Sequence, residues 1–451
     1  MIDMTKNDNM NIEKDKKTKV LVLSHLAFSE TKNVGKTLSS LFRNWQSDQL
    51  AQFYIFNEIP DFDVCYEYYR ITDYDILEAN IRFKTATGVE INKTNTTKKT
   101  VEYENADEIK GVHKLIYKGL EKRMPVLELA REVAWRQSKW MSPEFIKWLD
   151  TYNPEVIFIL GSNYSFFYKI TLWIQQRFNA RIFLFMTDDY TFVRSRISPS
   201  AWINHIRYMR WLSKIINKAE KLFVISSVMR DEISEKYKKN NIDIITNGIK
   251  EVQNPVETIA DDGILRFLYA GSVHSNRWKV LCKIGACLRM LEKEGLKANL
   301  EIYCSLTPSK EILKEFSKYP NVKFKGSLNA SELEQKILSS NVLVHVEAFD
   351  RRSIKTTRLS ISTKIPEYMM SNRCILAIGP QKVASIQYLV DNDAALCITS
   401  EDELLITKML KKHIFDSEYR QQMANNAKQV AIANHIISEM QDKLYNDILN
   451  C

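Results

Sequence analysis

Val20-Leu21-Val22-Leu23-Ser24 is a short apolar run, followed by a polar loop with Gly35 and then by Leu38, Leu41 and Trp45 in a helical pattern. A buried strand that feeds a helix is one βα unit. Similar runs follow at Phe53 to Phe56, Val156 to Leu160, Ile182 to Met186, Leu222 to Ser226 and Ile242 to Thr246, several with room for helices between them. After Asn247-Gly248, the stretch Lys250 to Gly263 (KEVQNPVETIADDG) loses periodicity and gathers Pro, Asp and Gly, as an interdomain linker does. A second series runs through Phe267 to Ala270, Leu300 to Tyr303, Val322 to Phe324, Val342 to Val346, Ile375 to Ile378 and Leu396 to Ile398. Helical patterns such as Trp278 to Lys293 and Ser331 to Leu338 separate these strands. The pattern predicts an α/β protein with two Rossmann-like halves built on parallel sheets. We expect a disordered polar tail over residues 1–18, a first domain over 19–250 and a second over 251–415. Residues 416–451 read as polar helices that can pack back on the first domain.

A chain of 451 residues is too long for one ordinary core, which agrees with two large domains. Hydrophobic residues at 45% and charged residues at 26% exclude fibrous and globally disordered classes. No run of eighteen uncharged apolar residues occurs, and the opening MIDMTKNDNMNIEKDKKTK has no apolar stretch. The expectation is a cytoplasmic protein with neither a cleaved signal nor a membrane span. Its seven cysteines are scattered and never spaced Cys-x-x-Cys, as suits reduced thiols. A net charge of +9, from 64 basic and 55 acidic residues, suits an anionic ligand or a membrane surface as readily as a nucleic acid. It selects no partner alone.

Several motifs mislead. Asn33-Val34-Gly35-Lys36-Thr37 looks like a P-loop, but that pattern needs a glycine where this chain has Glu30. No Gly-x-Gly-x-x-Gly follows the first strand, so no dinucleotide cofactor is expected. Asp61-Phe62-Asp63, Asp73-Tyr74-Asp75 and Asp391-Asn392-Asp393 match a pattern that can hold a divalent metal against a diphosphate. Acidic residues are common in turns anyway, and a hard cation needs more oxygen ligands than two. The histidines form no zinc pattern, so we expect neither a metal nor a cofactor.

Open parallel sheets bind ligands beyond the carboxyl ends of their strands. Five segments in the second half occupy such places: Tyr269 to Lys279 (YAGSVHSNRWK), Ile302 to Ser305 (IYCS), Val322 to Ser327 (VKFKGS), Ser362 to Met369 (STKIPEYM) and Cys374 to Pro380 (CILAIGP). In this order they resemble the donor half of bacterial glycosyltransferases of the two-Rossmann (GT-B) type, in particular those that build capsular and other surface polysaccharides. The resemblance covers Phe267 to Val390 and reaches the first half only by topology. It implies two Rossmann-like domains facing a central cleft and a nucleotide-sugar donor, with UDP the expected nucleotide.

Each segment suits that donor chemically. Gly271-Ser272 ends a strand where a missing Cβ lets backbone N–H groups approach a diphosphate, with Arg277 and Lys279 to neutralise it. A plain βα turn with solvated cations is the competing reading. Ser362, Thr363 and Lys364 precede a helix containing Glu367, and the resemblance implies that Glu367 binds the ribose hydroxyls. The competing reading is a helix-start charge behind a favourable Pro366. Ser305 and Ser327 close two further strands where the base is expected, or form ordinary turns. Many retaining relatives carry a pair of glutamates separated by seven residues. The second matches Glu367, but the partner position here is Leu359, so the motif does not assign the stereochemistry. Glu347, at a strand end further upstream, is the candidate for a sugar-facing role.

In the first half, Met186-Thr-Asp-Asp-Tyr190 ends a strand with two carboxylates. Asp189, ahead of Asp188, is the candidate base for the acceptor hydroxyl, with a helix N-cap as the alternative. His25 follows the first strand and is a further candidate. Arg207, Arg210, Lys214, Lys218 and Lys221 recur at spacings of three and four, as one helical stripe would. Such a stripe is solvated, or lies on anionic lipid at the inner face of the membrane. The expected partners are a nucleotide sugar and a glycan or lipid-linked acceptor, and no nucleic acid. A sugar-nucleotide epimerase and an inactive GT-B binding subunit are the alternatives.

Overall fold

The computed structural model describes residues 18–30, 33–93, 124–136, 139–189, 191, 198–250 and 262–450. The expected N-terminal tail through Lys17, the linker stretch 251–261, and Tyr190 lie outside them.

Two sheets form, and they share no strand. The first contains β1 (Val20–Leu23), β2 (Leu50–Tyr54), β3 (Glu67–Arg70), β4 (Val89–Ile91), β5 (Val156–Leu160), β6 (Arg181–Met186), β7 (Lys221–Val224) and β8 (Ile242–Ile244). Their order is β4-β3-β2-β1-β5-β6-β7-β8, parallel throughout except for β4 against β3. The second contains β9 (Ile264–Ala270), β10 (Lys297–Tyr303), β11 (Val322–Gly326), β12 (Val342–Val346), β13 (Cys374–Ile378) and β14 (Leu396–Ile398). It runs β11-β10-β9-β12-β13-β14 and is wholly parallel. Every residue of β1, β5, β12 and β13 is buried, as expected of strands covered by helices on both faces.

The end of the chain ties the two bodies together. Helix Ser417–His435 lays Ala427 and Ala431 on the second body's core. The chain then turns at Ile436, and helix Ile437–Asn450 returns Met440, Leu444 and Ile448 to the first body beside Leu38, Phe42 and Phe158. At the turn, Ile249 N–H donates to His435 O at 2.8 Å and Ile437 N–H donates to Ile249 O at 2.9 Å. Gly248 permits this crossing, because a Cβ there would lie 2.8 Å from Ile437 Cα. His435 is fully buried at the same point, with Nδ1 2.7 Å from Thr246 Oγ1 of the first body and Nε2 2.8 Å from Tyr388 Oη of the second.

Two sequence expectations are corrected. Strands β3 and β4 were not readable: EYYR and VEI are too short and too polar at their ends to stand out. The five-cation stripe is not one helical face. Helix Pro199–Lys218 ends with Ala219 in an extended conformation. Lys221 therefore belongs to β7, where it bonds Asp243 and Asp447 at 2.7 Å each. Arg207 turns inward to Glu132 at 3.2 Å, which leaves Arg210, Lys214 and Lys218 exposed.

Burial lowers the His435 pKa from its usual 6.5 to about 4. The folded protein thus holds it neutral while the unfolded chain protonates it near pH 6.5, so stability is lost as pH falls from 6.5 towards 4, by up to about 3 kcal/mol. Thermal unfolding followed across this window should show the midpoint of the wild type falling faster than that of His435→Asn. Parallel curves would show that this imidazole does not titrate between the two states.

Candidate functional site

The second sheet reverses its strand order between β9 and β12, and this pair stays in register only at Phe267–Val342 and Leu268–Leu343. Beyond those two pairs the strands part. Tyr269 to Ser272 on one side and Val344 to Val346 on the other border a cavity of about 240 Å³, completed by Arg277, Ser362, Thr363, Lys364 and Tyr368. A strand-order reversal is where open α/β sheets leave a ligand crevice.

The walls are fixed by short-range bonds. Gly271 N–H donates to Tyr303 O at 3.0 Å, and the Tyr269 hydroxyl donates to Ser272 O at 2.7 Å. A Cβ on Gly271 would sit 3.1 Å from the Tyr269 oxygen. Ala270 N–H donates to the Tyr368 hydroxyl at 3.1 Å, which pins the helix Lys364–Met370 to β9. Burial pushes both phenols well above their usual range, so they stay neutral. Asn276 donates to Asp350 at 2.9 Å, coupling the loop after β9 to the one after β12. Although burial opposes it, hydrogen bonds from Ser353 and Asn276 hold the Asp350 carboxyl down to about 2.

Arg277 Nη2 donates to both Glu347 oxygens, at 2.7 and 3.0 Å, and Glu347 is almost wholly buried. Burial works against the Arg277 charge, but Glu347 outweighs it and raises the pKa above the usual arginine value. Lys364 Nζ lies 2.7 Å from Glu367. Lys364 and Glu367 also border a second hollow of about 270 Å³, whose other walls include Lys36, Ile249 and Leu333. Positive charge therefore lines both hollows where they share Lys364. That arrangement suits an anionic ligand with a more apolar end.

The structure thus gathers Gly271, Ser272, Arg277, Ser362, Thr363 and Lys364 around one cavity and places Glu367 beside the next. Lys279 does not join them. It is two residues beyond Arg277 on one helix, so it points to another side, and it is exposed beside Trp278. Ser305 and Ser327 are exposed past the ends of β10 and β11, outside the lining of either hollow. His345, Lys36 and Tyr368 border the hollows without having been singled out. His345 reads as one more residue of a buried strand, and Lys36 lay inside the discarded P-loop string.

Asp189 is buried and fully engaged. Thr191 donates to its Oδ1 from N–H at 2.8 Å and from the hydroxyl at 2.6 Å, while Arg358 of the second body reaches Oδ2 at 2.8 Å. The N-cap alternative fails for the next described helix, which Ser198 caps. Arg358 also pairs with Glu232, and the Ser226 hydroxyl donates to Leu359 O at 2.7 Å. Leu359 itself packs into the core of the first body. Asp188 is exposed beside this seam. His25 packs edge-on against Phe56 and Tyr164 at the carboxyl end of the first sheet.

No family model and no curated protein matches the sequence. Solved structures do match over nearly the whole chain. Sucrose-phosphate synthase from Thermosynechococcus elongatus aligns with a TM-score of 0.60 and 12% identity over 96% of this chain and 99% of that one. HepE of Anabaena, in complex with UDP and glucose, gives 0.58 and 11% over 96% and 100%. TarM gives 0.59 and 12% over 97% and 100%. The chain has the GT-B fold. Within GT-B architecture, the cavity between β9 and β12 opens from the second Rossmann-like body, and Asp188, Asp189 and His25 follow strands of the first.

Removing Arg358 leaves the buried Asp189 carboxylate without its cation. Arg358→Ala should lower stability by about 1 to 3 kcal/mol. In a double-mutant cycle with Asp189→Asn, the two losses should be clearly less than additive in thermal unfolding. Strict additivity would show that the contact contributes nothing.

Proposed function

We propose that the protein is a glycosyltransferase that moves a sugar from a nucleotide-diphosphate donor, with UDP the expected nucleotide, to a hydroxyl of a lipid-linked or growing cell-surface glycan. The observation that carries this reading is the cavity between β9 and β12, with Arg277, Lys364 and the hydroxyls of Ser272, Ser362 and Thr363 around it. In transfer, the bond from the anomeric carbon to the diphosphate breaks and a bond to the acceptor oxygen forms. The departing diphosphate gains charge, which fixed cations and hydroxyl donors stabilise. In this reading Glu367, beside Lys364, accepts from the ribose hydroxyls, and the hollow it borders takes the base. The UDP and glucose named for HepE support the choice of donor.

The acceptor proton needs a base. Because both oxygens of Asp189 are engaged, we assign it to aligning the two bodies, and Asp188 at the same strand end becomes the candidate base, with His25 as a further candidate. Glu347, held in place by Arg277, serves the donor cavity.

A lipid-linked acceptor agrees with the outer face of helix Pro199–Lys218. Trp202, Ile203 and Ile206 are exposed near its start, and Arg210, Lys214 and Lys218 follow. Apolar side chains ahead of a row of cations suit an anionic bilayer surface. No described helix is long and apolar enough to cross a membrane.

Calorimetry with UDP tests the donor assignment. Lys364→Ala and Glu367→Ala should each weaken UDP binding by roughly 1 to 3 kcal/mol, the range for losing a charged hydrogen-bond partner. Unchanged affinity in both variants would remove the nucleotide from this place, and turnover of UDP-sugar without release of UDP would indicate epimerisation instead.

Neutralising Arg210, Lys214 and Lys218 together should reduce binding to anionic vesicles at low salt and leave UDP affinity unchanged. Equal vesicle binding by wild type and variant would return these cations to an ordinary solvated face.

A further inference from the structure

His345 borders the donor cavity, and the diphosphate makes no use of its imidazole. It lies on β12, 7% exposed, and its Nε2 is buried with no hydrogen-bond partner among the described residues. A buried polar atom without a partner is costly, and in a ligand cavity it marks a place for a ligand atom. Nε2 lies 3.7 Å from Glu347 Oε1, too far for a direct hydrogen bond. Glu347 cannot close the gap, because Arg277 holds it from Nη2 at 2.7 and 3.0 Å and from Nε at 3.3 Å.

The gap between Nε2 and Oε1 is too narrow for an atom on the line between them, so a bridging oxygen sits to one side of it. An oxygen about 2.8 Å from both atoms fits over a separation of 3.7 Å. Such an oxygen must accept from Nε2–H and donate to a carboxylate. A hydroxyl does both at once, whereas an ionised phosphate oxygen only accepts and would be repelled by Glu347. Burial, with help from the Arg277 charge and against the pull of Glu347, keeps the imidazole neutral by lowering its pKa to about 4. The cations Arg277 and Lys364 answer the anionic part of the ligand, and the neutral imidazole beside Glu347 Oε1, which takes one bond from Arg277 and can accept another, answers an uncharged part.

We infer that His345 and Glu347 together read one hydroxyl of the donor sugar, so that His345 sets which sugar is accepted. The inference rests on the nucleotide-sugar reading above. A site built to hydrogen-bond a hydroxyl rejects a sugar that lacks or inverts it far more strongly than an apolar wall would, because the buried partners are left unpaired.

The experiment compares UDP with UDP-glucose, UDP-galactose and UDP-N-acetylglucosamine by calorimetry on wild type, His345→Ala and His345→Asn, with thermal unfolding as a check on folding. Wild type should bind one UDP-sugar more tightly than UDP and than the other sugars. His345→Ala should keep UDP affinity within about twofold while losing about tenfold or more for the preferred UDP-sugar. His345→Asn, which retains an N–H donor, should recover part of that loss and remains informative if the alanine variant does not fold. Parallel loss for UDP and UDP-sugar, or an unchanged order of preference in both variants, overturns the role of His345. If wild type binds none of the four nucleotides, the donor assignment itself falls, and His345 with it.

Discussion

Arg358 joins two bodies that have no strand in common. Its guanidinium meets Asp189 at the end of β6 and Glu232 on the helix Ser227–Tyr237, and the next residue, Leu359, enters the first body's core. The same stretch then turns back to build the cavity between β9 and β12. Ser362 N–H donates to Ser385 Oγ at 3.1 Å, the Ser385 hydroxyl donates to Ser360 O at 3.0 Å, and Ser362, Thr363 and Lys364 form the wall. A side chain at the seam is thus four residues from one in the cavity wall. Any shift of one body against the other is felt in the cavity through a tethered segment.

Charge is divided by burial. Arg277 lies in the cavity wall and is held by the buried Glu347 behind it, whereas Lys364 and Glu367 stay about a third exposed, where an ion pair contributes little. The inner pair therefore shapes the cavity, and the outer pair is the adaptable one. One of the acidic pairs that resemble a metal motif is committed elsewhere. Asp73 receives Arg131 and Trp135 at 2.7 Å each, and Asp75 closes a capping box with Thr72.

Much of this was legible in the sequence. Runs such as VLVL, VIFIL and CILAI read as buried strands, and Gly271 and Ser272, which follow β9, border the cavity. What stayed hidden depends on direction and on distant partners. Helical phase separates Lys279 from Arg277, and the end of the helix at Lys218 removes Lys221 from the stripe. Asp189 looks like any strand-end carboxylate until Arg358, far along the chain, is brought against it. Leu359 stands where a glutamate was sought, and only the packed structure shows that it anchors the first body. His345 sits among valines, and no local pattern separates a core histidine from one that faces a ligand.

The crossing at Ile436 bears on the order of synthesis. The ribosome delivers the first body's strands early, yet Met440, Leu444 and Ile448, which cover Leu38, Phe42 and Phe158, emerge only after the whole second body has been made. Until then, one face of the earlier sheet keeps an apolar groove open to solvent or to a chaperone. The half that is translated first is therefore the half that is completed last, and nascent chains stalled anywhere before the final helix carry that groove uncovered.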